Sequence, residues 1–144
     1  MMDPTKGRHT KFKFIGDSTT LADIGVVRIF LETVVNRINM MAMDEPHCYS
    51  LPIIPENLPL DCEEDEGGVT GFVPLSTSHA AIHTFPEHCY AVVDVYSCKD
   101  YDPNIVEALI IQFFDVEPEE LIKENVPLEF PFPLPTPSSL LEPS

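Results

Sequence analysis

Between residues 70 and 98 the chain places Thr70, Ser78, His79, His83, Glu87, Cys89 and Cys98 with little polar filler between them. Side chains of these types serve metal binding, acyl transfer by a serine, or self-cleavage at a serine. Metal binding fits poorly, and no metal is expected. His79 and His83 enclose Ala80, Ala81 and Ile82, without the glutamate that the zinc protease motif needs after its first histidine. On a strand, two residues four apart sit about 13 Å from each other, too far to share one ion. Serine hydrolysis fits no better, because Ser78 has neither a G-x-S-x-G elbow nor an obvious third triad member. Self-cleavage uses fewer parts. A strained peptide bond before a serine can be attacked by that serine's hydroxyl, and elimination from the ester so formed leaves a pyruvoyl group at the new N-terminus.

The elements that must position these residues are legible from periodicity. HTKFKFI at 9–15 alternates as a first strand, with Phe12 and Phe14 on one face. From Thr20 to about Met40 apolar residues recur every three or four positions, the pattern of an amphipathic helix, with Thr20 and Asp23 as a capping box. A second strand is expected from Cys48 to Ile54, then a loop, ENLPLDCEEDEGG. Three strands follow at 69–75, 79–85 and 90–98. Asp94 lies in the last of them, on the face of Tyr90, Val92, Tyr96 and Cys98, and a carboxylate in so apolar a strand must be paired or hydrogen-bonded. Asp102 and Pro103 then open a second helix, lined by Ile105, Val106, Leu109, Ile110 and Phe113. The economical architecture is α+β: a mostly antiparallel sheet with two helices packed on one face.

One domain is expected over residues 1–124. A tail at 125–144 has prolines at 127, 131, 133, 135, 137 and 143, a spacing that excludes helix and central strand and predicts an extended or disordered segment. With 24 Asp and Glu against 8 Lys and Arg, a formal net charge of −16 argues against a nucleic acid partner and favours a cationic small molecule. No apolar run approaches the roughly 20 residues of a membrane span. The opening MMDPTKGRHTKF has no apolar segment behind its basic residues, so the chain is read as cytoplasmic, with Cys48, Cys62, Cys89 and Cys98 reduced.

The stretch GGVTGFVPLSTSHAAIHTFPEHCYAVVDVYSCKDYD, about residues 67–102, resembles the short prokaryotic and viral form of S-adenosylmethionine decarboxylase. Its core there reads as a G-V-S-G strand, then E-S-H, I-H-T-x-P-E, and an apolar strand ending in cysteine. The resemblance implies cleavage between Thr77 and Ser78, with Ser78 becoming a pyruvoyl cofactor that holds the substrate amine as a Schiff base. By the same resemblance His83 and Thr70 assist processing, and Cys98 returns a proton to the substrate carbon after carbon dioxide leaves. It further implies a homodimer packed sheet against sheet as an αββα sandwich, a cytoplasmic lyase supplying aminopropyl groups for spermidine. Two positions depart from the family pattern. Thr77 stands where a glutamate is usual, and Glu64 where many relatives carry a ring that stacks on adenine. Phe12, Phe14 or Phe72 could supply that ring, and Glu87 could orient the substrate or the nascent pyruvoyl. A carboxylate at 64 could instead pair with a guanidinium or ammonium, which keeps decarboxylation of arginine or ornithine as an alternative. A third reading is an unprocessed, inactive relative that regulates an active partner.

Overall fold

The structure, a computed structural model, describes residues 3–51 and 67–137. Its strands are β1 (Arg8–Ile15), β2 (His47–Leu51), β3 (Gly68–Leu75), β4 (Ser78–Phe85), β5 (Tyr90–Ser97) and β6 (Leu121–Val126). They form one sheet in the order β2-β3-β4-β5-β1-β6, with every neighbouring pair antiparallel. Helices α1 (Ser18–Leu21), α2 (Ile24–Arg37) and α3 (Pro103–Phe114) cover one face. Alternation decides which face. Thr10, Phe12 and Phe14 of β1, Ala80, Ile82 and Thr84 of β4, and Ala91, Val93 and Val95 of β5 are buried, and the residues between them lie on the other, open face. The expected α+β architecture is therefore present. Among the described residues no helix is long and apolar enough to cross a membrane.

Three details differ from the sequence expectation. The helix expected from Thr20 is two helices, because Asp23, in an extended conformation at φ −93° and ψ 107°, accepts from the amides of Gly25 and Val26 and so starts α2 afresh. Thr20 belongs to the separate turn α1, capped by Asp17, and forms no capping box with Asp23. The second strand begins at His47, and residues 52–66, which hold the rest of its expected length and most of the acidic loop, lie outside the described residues. A sixth strand, unexpected from LIKENV, pairs along the outer edge of β1, so regular structure runs to Val126. Lys123 holds it to α3 through Asn104 (2.7 Å) and Glu107 (2.9 Å).

Candidate active site

β3 and β4 are joined by a turn of two residues, Ser76 and Thr77, because Leu75 pairs directly with Ser78. Tight hairpins need positive φ, and here Thr77 supplies it at 54°. A β-branched residue in the left-handed region is strained, since its side chain crowds the backbone. The strain therefore lies at the residue whose carbonyl precedes Ser78. Across the turn, the end of β5 presents Cys98. Its thiol is 2.6 Å from the Thr77 hydroxyl and 4.0 Å from that of Ser78, while its amide donates to Ser78 Oγ at 3.3 Å. The Thr77 hydroxyl also lies 2.7 Å from the Ser76 carbonyl, to which it can donate, and either partner can be the donor in its short contact with the thiol. A thiol proton, a serine nucleophile and a strained carbonyl thus meet at one sheet end.

Thr70 and His83 form a second cluster, cross-strand partners on the open face with Thr70 Oγ1 3.1 Å from His83 Nδ1. They do not reach the first. Four residues of extended β4 separate His83 from Ser78, which puts them about 16 Å apart along the strand. Glu87 is further still, exposed in the 3-10 turn Pro86–His88 that closes the opposite end of the β4–β5 hairpin. Within one chain, therefore, neither His83 nor Glu87 touches the Thr77–Ser78 bond. Phe12 and Phe14 are 2% and 1% exposed, packed between sheet and helices, so neither is free to stack on a ligand. Phe72 is on the open face but stacks on His47, with ring centroids 5.2 Å apart. Glu64 lies outside the described residues.

Asp94 has two partners that sequence reasoning did not find. His9 Nε2 donates to one carboxylate oxygen at 2.7 Å and His79 Nε2 to the other at 2.8 Å. Both histidines contact the ring of Tyr96 lying between them in the same cross-strand row. Burial alone would raise the Asp94 pKa, but the hydrogen bonds from His79 and His9 outweigh it and hold the carboxyl below its ordinary value. The signal available in the sequence was the charge in an apolar strand; its distant partner, 85 residues away in His9, carried none. Among the described residues no three His, Cys, Asp or Glu side chains are grouped to hold a metal ion.

Beside Thr77, Tyr96 and Cys98 opens a cavity of about 900 Å³. Its remaining walls come from two distant parts of the chain, residues 3–6 and residues 129–136.

Comparison with known proteins bears on the family and the fold. The S-adenosylmethionine decarboxylase family model matches residues 12–123. Over 56 residues, 39% of this chain, the sequence is 46% identical to the S-adenosylmethionine decarboxylase proenzyme of Bacillus velezensis, and it is equally similar to that of Geobacillus kaustophilus. The match spans 44% and 45% of the lengths of those relatives. The crystal structure of the adenosylmethionine decarboxylase from Aquifex aeolicus aligns over 85% of this chain and 90% of that one, with a TM-score of 0.64 and 28% identity. A family match that runs from the first strand into the last, on a sheet of the same build, makes this chain a member of the S-adenosylmethionine decarboxylase family.

Proposed function

We infer that the chain cuts itself between Thr77 and Ser78 and then decarboxylates S-adenosylmethionine with the pyruvoyl group so made. The observation that carries this reading is the convergence of a strained Thr77, the Ser78 hydroxyl and the Cys98 thiol at one turn. Attack of Ser78 Oγ on the Thr77 carbonyl carbon moves the acyl group from nitrogen to oxygen and releases the strained turn. Loss of the Ser78 α-proton then expels the Thr77 carboxylate, and hydrolysis of the unsaturated residue left behind gives the ketone with release of ammonia. A pyruvoyl group at position 78 supplies a carbonyl that captures a substrate amine and an electron sink for the carbon that loses its carboxylate. The 4.0 Å contact between Ser78 Oγ and the Cys98 thiol supports reading Cys98 as the group that returns the proton to that carbon. The net charge of −16 suits a sulfonium substrate.

Processing also needs an acid–base group near the turn, and His83 of the same chain is too far away. The open sheet face offers a solution. Exposed Phe72, Phe85 and Ile122 lie on it around the polar rows, a surface suited to packing against a second copy. A two-fold pairing of these faces would carry His83 and Thr70 of one copy to the turn of the other, so the active species is read as a homodimer.

Intact mass of the purified, denatured protein tests the reading. Chains of 77 and 67 residues are expected, the second blocked to N-terminal sequencing and reactive to hydrazine. Ser78→Ala should remain whole and release no carbon dioxide from S-adenosylmethionine. Turnover retained in that variant would remove the pyruvoyl mechanism, and release from arginine or ornithine alone would replace the substrate.

A further inference from the structure

The sheet topology returns the C-terminal segment to the site. β6 is antiparallel to β1 with Val126 opposite His9, and β1 is antiparallel to β5 with Arg8 opposite Ser97. The chain therefore leaves β6 at the same sheet end that carries Cys98 and the Thr77 turn. From there residues 129–136 line the cavity together with Thr77, Tyr96 and Cys98. The local sequence, Phe130-Pro131-Phe132-Pro133-Leu134-Pro135, fixes how they do so. Alternate prolines lock φ and keep the segment extended at little entropic cost. The residues that alternate with the prolines are Phe130, Phe132 and Leu134, and all three line the cavity.

The two rings lie 6.0 Å apart, centroid to centroid, at an interplanar angle of 66°. Phe130 is 59% and Phe132 68% exposed, so these rings line the wall while most of their surface stays uncovered. That is not how rings serve a core. The cavity volume of about 900 Å³ lies within the range of small-molecule sites. Asp3 and Glu129 against Lys6 leave its charged lining with an acidic excess.

Resting on the decarboxylase reading above, we propose that residues 129–136 form the substrate-recognition wall of the active site, with Phe130 and Phe132 stacking on the planar base of the adenosyl group. The amine end of the substrate lies toward Ser78 and Cys98, and the purine lies against the tail. Because the tail follows Ser78 in the chain, cleavage leaves it covalently joined to the residues that do the chemistry.

The probe that separates recognition from chemistry is 5′-methylthioadenosine, which keeps the base, ribose and sulfur but has neither amine nor carboxylate. Calorimetric titration of the full chain, the double variant Phe130→Ala/Phe132→Ala, and a chain ending at Pro127 should show affinity falling about tenfold or more on loss of the rings. Phe130→Tyr/Phe132→Tyr, which keeps both π faces, should bind within threefold of the unmodified chain. With S-adenosylmethionine the alanine variant should raise KM by a similar factor, with kcat within twofold and self-cleavage unchanged by mass. Binding and KM within twofold of the unmodified chain in both the alanine variant and the chain ending at Pro127 would overturn the proposal. So would equal loss in the tyrosine and alanine variants, or failure of the full chain to bind the probe. If the full chain binds the probe through the tail yet neither cuts itself nor decarboxylates, the wall stands and the activity reading falls.

Discussion

Thr77 is a costly residue at its position. Holding a β-branched side chain at φ 54° costs on the order of 1–3 kcal/mol, which glycine would not incur. In a Ser78→Ala background, where no cleavage intervenes, Thr77→Gly is expected to raise the unfolding free energy in urea by about 1 kcal/mol, after allowing for the entropy glycine loses on folding. With Ser78 intact, the same change should slow self-cleavage, because the relaxed turn has less to gain from the acyl shift. An unchanged cleavage rate would show that strain does not drive the step. Asp94 gives a prediction in pH. Its folded pKa is lowered below the ordinary 3.8, so its paired carboxylate contributes stability that is present above that value and lost as pH falls through the lowered folded value. Melting temperatures from pH 6 to pH 2.5 should fall less steeply at the acid end for Asp94→Asn than for the unmodified chain. His9 and His79 face this carboxylate, and Lys11 is its cross-strand neighbour, so all three set the surrounding field. At this scale the sequence revealed that Asp94 needed partners, and only the sheet register could say which.

The elements were legible where a short-range pattern specified them. Alternation in β1, β4 and β5 and the Asp102–Pro103 start of α3 are local, and the structure has them. The split between α1 and α2 was not legible because the apolar period runs through Asp23 uninterrupted; the capping geometry of that one side chain decides it. β6 was hidden for a different reason, since an edge strand with Lys123, Glu124 and Asn125 in its middle presents no buried alternation. One tie between elements is testable. The buried Thr84 hydroxyl accepts from the Val69 amide at 2.8 Å and donates to the Leu21 carbonyl at 2.7 Å, fastening β3 and β4 to α1. Thr84→Val keeps the shape and removes both bonds, and should cost about 2 kcal/mol in urea unfolding. The neighbouring Gly68, at φ 139°, admits no side chain, because a Cβ there would meet the Thr84 carbonyl oxygen.

For the whole molecule, the candidate site residues could be picked out in the sequence but their division into two clusters could not. Spacing along the chain says nothing about which copy supplies a neighbour. The separation of Ser78 from His83 leads to a complementation test. Ser78→Ala and His83→Ala should each remain uncut alone, and co-expressed chains should recover partial cleavage, confined by mass to the His83→Ala chain. Continued absence of cleavage in the mixture would mean that the two residues act within one copy. Sedimentation should accordingly give a particle of twice 16.1 kDa.

The strand order has a consequence for refolding. A cut after Thr77 leaves β1, β2 and β3 in one product and β4, β5 and β6 in the other, and in the sheet β1 lies between β5 and β6. The two pieces are laced together and separate only when the sheet opens. Once open, they must find each other by diffusion, so refolding of the cut protein gains a bimolecular step beyond any pairing of copies that the uncut chain also makes. The melting temperature of the cut protein should therefore climb with its concentration more steeply than that of Ser78→Ala. Self-cleavage would in this way make a molecule whose lifetime rests on how slowly it unfolds rather than on how readily it reforms.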